Sequence, residues 1–169
     1  MMGAVLILGF ITAQRLAELV LARRNTRRLL ARGGVETGAE HYPLIVGLHA
    51  AWLGGLWALA WNRPADLGWL GVYLLLQGLR IWTLASLGER WTTRIVTMPG
   101  VPLVRRGPYR FMPHPNYMVV VGEIAVAPLV FDLPAYALVF SLLNAVMLWV
   151  RLRAEAAALN AARPDCRSN

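Results

Sequence analysis

Five apolar runs separated by short connections limit what this chain can fold into. They cover residues 3–22, 43–61, 67–87, 117–131 and 134–150. The first three have about 20 residues each, the length at which a helix rising ~1.5 Å per residue crosses a hydrocarbon core of about 30 Å. Inside lipid every backbone donor and acceptor must find its partner within the protein, so such runs read as helices. The last two are shorter and are separated only by Asp132 and Leu133, with Pro134 placed to open the next helix. They read as a short helical hairpin, with Pro128 expected to kink its first arm.

The expected fold is all-α: a polytopic membrane protein with five transmembrane helices. It forms a single membrane domain over residues 1–169, divided into a three-helix part (1–87) and a part carrying a loop, the hairpin and a tail (88–169). Composition agrees, with 57% hydrophobic and only 15% charged residues, far from the balance of a soluble domain.

The 17 basic residues are all arginine, and their positions set an orientation. Five lie in residues 23–42 (23, 24, 27, 28, 32), five in 88–116 (90, 94, 105, 106, 110) and four after 150 (151, 153, 163, 167). On the other side, residues 62–66 hold Arg63 alone. Fourteen against one predicts an amino terminus outside and a carboxyl terminus in the cytoplasm. The basic residues alternate with apolar blocks instead of forming one stripe, so nucleic acid is not an expected partner and membrane lipids are.

The single Cys166 excludes an internal disulfide and a cysteine-based zinc site. It lies near the end, as a prenylated cysteine would, but Arg167-Ser168-Asn169 is polar where that signal is aliphatic. His41, His49 and His114 lack metal-ligand spacing, so no metal is expected. Positive charge follows the first apolar run and does not precede it, which is the pattern of a signal anchor.

Polar groups inside the runs cluster by depth. Gln14, Arg15, Glu18, His49, Gln77, Arg80, Glu123 and Asn144 all fall in the half of their helix nearer the arginine-rich side, on the order of 6–14 Å in at ~1.5 Å per residue. Gln14, Gln77 and Asn144 read as hydrogen-bonding links between helices, His49 as structural, and Arg15 with Glu18 as a local pair. Arg80 and Glu123 have matching depths on adjacent segments of opposite direction. They are expected to form a buried pair lining a substrate cavity.

The most polar connection is Arg105-Arg106-Gly107-Pro108-Tyr109-Arg110-Phe111-Met112-Pro113-His114-Pro115-Asn116-Tyr117. Its three prolines prevent a regular helix and hold a shaped loop. Arg105 and Arg106 read as lipid-facing anchors, and Trp82 and Trp91 as interfacial tryptophans. The last helix ends Arg151-Leu152-Arg153-Ala154-Glu155, where Arg151 and Glu155 share a face. Alone, that pair reads as a solvated ion pair.

Gly107-Pro108-Tyr109-Arg110, His114-Pro115-Asn116-Tyr117 and Arg151-Leu152-x-x-Glu155 together resemble the isoprenylcysteine carboxyl methyltransferase family, whose carboxyl-terminal core is shared with membrane phospholipid methyltransferases. The likeness covers roughly residues 87–159, including Leu87-Gly88-x-x-Trp91-Thr92. Two positions depart from the family pattern: Pro113 stands where arginine is usual, and Ala156 where a second glutamate is. Glu155 is therefore expected to carry any acidic role alone. His114-Pro115-Asn116-Tyr117 followed by Glu123-Ile124 is similar to a bacterial branch associated with long-chain polyketide pyrones or phenols. The arginine-only, alanine-rich composition suits a GC-rich bacterial genome.

The resemblance implies S-adenosylmethionine as cofactor, bound between the loop and the last two helices. The chain has no glycine-rich turn between strand and helix, so a soluble dinucleotide-type fold is not the binding mode. It implies cofactor contacts from Gly107, Pro108, Tyr109, His114, Pro115, Tyr117 and Glu155, and catalytic positioning by Arg110, Arg151 and Glu155. The expected acceptor is a lipophilic small molecule entering from the bilayer, a prenylcysteine-like carboxylate or a long-chain polyketide enol or phenol methylated on oxygen. The active site would face the cytoplasm from a bacterial inner membrane. Two other readings stay open at this point: a membrane NADPH-dependent reductase of steroid-reductase-like type, for which the loops leave little room, and a non-catalytic membrane scaffold.

Overall fold

The computed structural model describes residues 2–161. Arg163, Cys166 and Arg167, and with them the reading of the tail, lie outside the described residues. Five helices form: α1 (Met2–Ala31), α2 (Tyr42–Ala60), α3 (Leu67–Leu87), α4 (Pro115–Leu129) and α5 (Pro134–Ala161). Among the described residues four of these, α1, α2, α3 and α5, are long and apolar enough to cross a membrane, and α4 is a shorter apolar helix. At 15 residues, α4 is about 22 Å long by helical rise, short of a ~30 Å core.

Two features differ from an all-α reading with a short closing hairpin. Strands β1 (Val35–Thr37) and β2 (Ile95–Thr97) pair antiparallel, with Glu36 opposite Val96. This small sheet ties the α1–α2 connection to the α3–α4 connection and satisfies backbone groups where the two meet. In addition, α1 continues through Ala31 and α5 through Ala161, well past their apolar parts. Arginine, alanine and leucine are good helix formers, so the helix outlasts the hydropathy. The hairpin therefore has one short arm and one long one. Pro128 stands in the last turn of α4, which ends at Leu129.

The core lies toward the arginine-poor end, where Leu8 and Ile11 of α1, Trp52 and Leu56 of α2, Tyr73 of α3, and Ile124 and Ala127 of α4 pack with Val130 and Phe131. There Arg63 has a specific task. Its Nη1 donates to the carbonyls of Asp132 at 3.0 Å and Phe131 at 3.4 Å, closing the carboxyl end of α4. Asp66 completes the corner: its backbone N–H donates to Val130 O at 2.8 Å, and its carboxylate accepts from Trp69 N at 2.9 Å as the cap of α3.

Candidate functional site

At the arginine-rich end the connections and helix ends enclose a cavity of about 860 Å³, within the roughly 300–1,000 Å³ typical of small-molecule sites. One wall is apolar, built from Leu29 of α1, Leu87 of α3, Ile95 of β2, and Val101 and Val104 beyond it. The cavity lining also carries Tyr109, His114, Asn116, Tyr117, Arg151 and Glu155.

The polar part of the lining is set by how the loop meets the helices. Gly107 has φ +58°, and a Cβ there would fall 1.9 Å from Ser86 Oγ and 3.2 Å from Trp82 Nε1, so only glycine permits this approach. Pro108 is buried beside it, and the short 3-10 turn Gly107–Arg110 aims Tyr109 into the cavity. Burial, with Tyr117 and Glu155 nearby, raises the Tyr109 hydroxyl well above its usual value of 10.0. Pro115 then opens α4 at a position where its missing N–H costs nothing.

His114 and Tyr117, one turn apart, stack with ring centroids 5.2 Å apart and planes at 16°. The Tyr117 hydroxyl donates to Glu155 Oε2 at 2.5 Å and accepts from Arg151 Nε at 2.9 Å. Arg151 Nη1 is held by the Thr93 carbonyl at 2.7 Å. His114 Nδ1 lies 4.0 Å from Glu155 Oε2. Arg151 and Glu155 are thus not a free surface pair. They are joined through one phenol on α4 and oriented toward the cavity.

Arg80 and Glu123 form a buried pair, with Arg80 Nε donating to Glu123 Oε1 at 2.6 Å. They do not line the cavity. The pair sits inside a closed cluster in which Arg15 Nη2 donates to Glu123 Oε2 at 2.6 Å, Gln77 Nε2 to Glu123 Oε1 at 2.9 Å, and Arg80 Nη1 to Glu18 Oε2 at 3.4 Å. Two guanidiniums and two carboxylates leave it neutral, and helices pack over it because that balance needs no water. Gln14 also belongs here, donating to Glu18 at 2.9 Å, and Arg15 reaches beyond its local partner Glu18 to α4.

Other expected residues fall elsewhere. Arg110 is exposed, outside the cavity lining, with its guanidinium 6.0 Å from the Phe111 ring. Trp91 is not interfacial but buried, donating to Asn116 Oδ1 at 3.4 Å and accepting on its carbonyl from Asn25 at 2.8 Å. Trp82 is exposed. Arg106 Nε donates to Ser86 O at 2.7 Å, so it anchors the loop as well as facing outward. His49 bonds within its own helix, to Ile45 O at 2.8 Å. Sequence reasoning did not single out Asn25, Thr93, Asn116 or Arg94, which pairs with Glu36 at 2.7 Å and stacks over Tyr42 at 4.6 Å. For Thr93, Arg94 and Asn116 the only hint was their proximity in the chain to Trp91-Thr92 and His114; Asn25, on α1, had none.

The fold and site define a polytopic membrane protein with a mainly apolar cavity that carries a cluster of polar side chains, at one end of its helices. Residues 69–161 match the Isoprenylcysteine carboxyl methyltransferase (ICMT) family. The chain belongs to that family, and so to the membrane methyltransferases. It is 42% identical over 159 residues, 91% of its own length and 95% of the relative's, to the uncharacterized protein YpbQ of Bacillus subtilis. It is also 24% identical over 157 residues, covering 89% and 91% of the two chains, to an uncharacterized protein of Haemophilus influenzae. No solved structure matches it.

Proposed function

We propose that this protein methylates an oxygen of a lipophilic acceptor, using S-adenosylmethionine, the methyl donor of its family, at the cavity between the 91–117 connection and the end of α5. The observation that carries this reading is the Arg151–Tyr117–Glu155 array beside His114, in a cavity whose lining also includes apolar side chains. The donor set suits the cofactor. Glu155 offers a carboxylate to ribose hydroxyls or an ammonium, Arg151 a guanidinium to a carboxylate, and His114 and Tyr117 offer ring faces to a cationic sulfur. When bound, the cofactor would supply an electrophilic methyl group.

The protein's own contribution is positioning and exclusion of water. Gly107, Pro108 and Pro115 fix the backbone that carries Tyr109, His114 and Tyr117. Leu29, Leu87, Val101 and Val104 give the apolar part of an acceptor a dry surface. An acceptor that is already an anion near neutral pH, a prenylcysteine-like carboxylate or an acidic enol or phenol of a long-chain polyketide, needs no strong base. A fixed cation such as Arg151 is sufficient to orient its oxygen. The arginine distribution supports a cytoplasmic site in a bacterial inner membrane, with the amino terminus outside.

Calorimetric titration of the purified protein with S-adenosylhomocysteine tests the reading. Micromolar binding is expected, weakened about ten-fold or more, ~1.4 kcal/mol, in His114→Ala and Glu155→Ala. Binding of a nicotinamide dinucleotide in its place would install the reductase reading, and binding of neither would leave a scaffold. Family membership favours neither of these.

A further inference from the structure

We propose that residues 103–112 form a membrane-surface clamp for anionic phospholipid, in which Arg105 and Arg110 bind headgroup phosphates while Leu103, Phe111 and Met112 enter the acyl boundary. The first support is depth. Arg106 donates to the Ser86 carbonyl at 2.7 Å, and Gly107 packs directly on Ser86 and Trp82. Both partners precede the end of α3 at Leu87, so the connection folds back alongside the spanning helix instead of standing above it. Trp82, exposed at that level, marks the headgroup zone as interfacial tryptophans do.

The second support is composition at the surface. Leu103 is 70% exposed and Phe111 74% exposed, with Met112 also open. In water such a patch would be an aggregation liability; at a lipid boundary it is an anchor. The cations between these side chains are available. Arg28 and Arg32 pair with Glu89, and Arg94 with Glu36, whereas among the described residues neither Arg105 nor Arg110 pairs with a carboxylate. Arg110 lies against the Phe111 ring, a long cation over an inserted aromatic, which keeps its head at phosphate level. Val104 and Tyr109 of the same segment line the cavity, and the exposed Leu103 and Arg105 border both it and the outer surface. A phospholipid held outside therefore braces the cavity wall and brings its mouth to the lipid boundary. This assignment does not depend on the chemistry inside the cavity.

Nitroxide labels placed by Phe111→Cys or Leu103→Cys in a Cys166→Ser background, with a label at exposed Glu40→Cys as reference, test it by power saturation in lipid nanodiscs. Labels at 103 and 111 are expected to meet oxygen more than a nickel chelate, and more so in discs containing phosphatidylglycerol than in phosphatidylcholine alone. Adding Arg105→Gln and Arg110→Gln should remove the lipid preference. Water-like accessibility at 111 matching that at 40 would overturn the insertion, and equal depth in both lipids would overturn the headgroup assignment. Because the labelled positions are open surface sites, the readout does not require any core variant to fold.

Discussion

Glu123→Gln offers the sharpest test of the energetics of this fold. The Glu123 side chain is fully buried and accepts from Arg15 at 2.6 Å, from Gln77 at 2.9 Å and from Arg80 through both Nε and Nη2. Glutamine keeps the shape, removes the charge and turns one of the two acceptor oxygens into an amide donor that faces the N–H groups around it. The cluster of Arg15, Arg80, Glu18 and Glu123 then passes from neutral to one net positive charge among apolar helices. Removing one partner of a buried ion pair costs about 3–5 kcal/mol because the other charge is left uncompensated. Gln77→Leu, by contrast, removes a neutral donor from the same carboxylate, and hydrogen bonds between membrane helices average about 0.6 kcal/mol, at most ~1.7.

The two substitutions touch one residue pair, and their difference reports the lost charge together with the lost acceptor oxygen. The double change Arg80→Met with Glu123→Met keeps the cluster neutral through Arg15 and Glu18, and should cost clearly less than the sum of its singles. Reversible unfolding by steric trapping in bilayer-like micelles measures all of these. If Glu123→Gln fell within about 1 kcal/mol of Gln77→Leu, or the double change equalled the sum, the charge-balance argument would be wrong.

Three further outcomes follow from the site. Gly107→Ala should lower stability and cofactor-analogue binding together, since a left-handed alanine costs roughly 1–2 kcal/mol and its Cβ would overlap Ser86 Oγ; Ser86→Ala should restore part of both, read by thermal melting and titration. Tyr117→Phe removes the hydroxyl that bonds both Arg151 and Glu155. At about 1 kcal/mol per hydrogen bond the two losses should lower stability by roughly 2 kcal/mol in thermal melting, and S-adenosylhomocysteine binding should weaken as Arg151 and Glu155 lose their common support. Tyr109, raised from its usual 10.0, is protonated in folded and unfolded chain alike below about pH 10, so its contribution to stability is constant there and is lost as pH rises further. A Tyr109→Phe variant whose stability relative to wild type changed with pH between 6 and 9 would contradict this.

The helices were legible because the apolar runs and their prolines coincide with helix starts: Pro43, Pro115 and Pro134 all open helices in the structure. Their far ends were not, since hydropathy reports the lipid span and not the helix, and Arg23 to Arg28 continue α1 without a break. The β1–β2 pair was invisible because each strand is three residues, too short for any alternation to register. In the site, His114, Tyr117, Arg151 and Glu155 were legible as polar residues on one side of the membrane. That Tyr117 would join the other two through its hydroxyl was not, because the link is made across α4 and α5. Arg110 and Tyr109 show the same limit: they are adjacent in sequence, yet Tyr109 lines the cavity and Arg110 is exposed outside its lining.

Counting arginines assigns each the same weight, yet the structure gives them different work by position. Arg15 and Arg80 are charge partners within the spans, where nothing but carboxylate can offset them. Arg28, Arg32 and Arg94 fix connections to one another through Glu89 and Glu36. Arg151 is held by a carbonyl and a phenol at the cavity. Arg63, the exception to the one-sided distribution, caps α4 through main-chain carbonyls, which gives it a structural task independent of charge distribution. A side chain tied to a helix end is lost at a structural cost, whereas Arg23 and Arg24, exposed on α1, make no salt bridge among the described residues. Arg63→Gln should therefore destabilise the fold and leave the topology intact. Neutralising Arg23, Arg24 and Arg27 together should leave packing intact and weaken the orientation, as terminal reporter fusions would read. If Arg63→Gln inverted the topology, the capping assignment would fail.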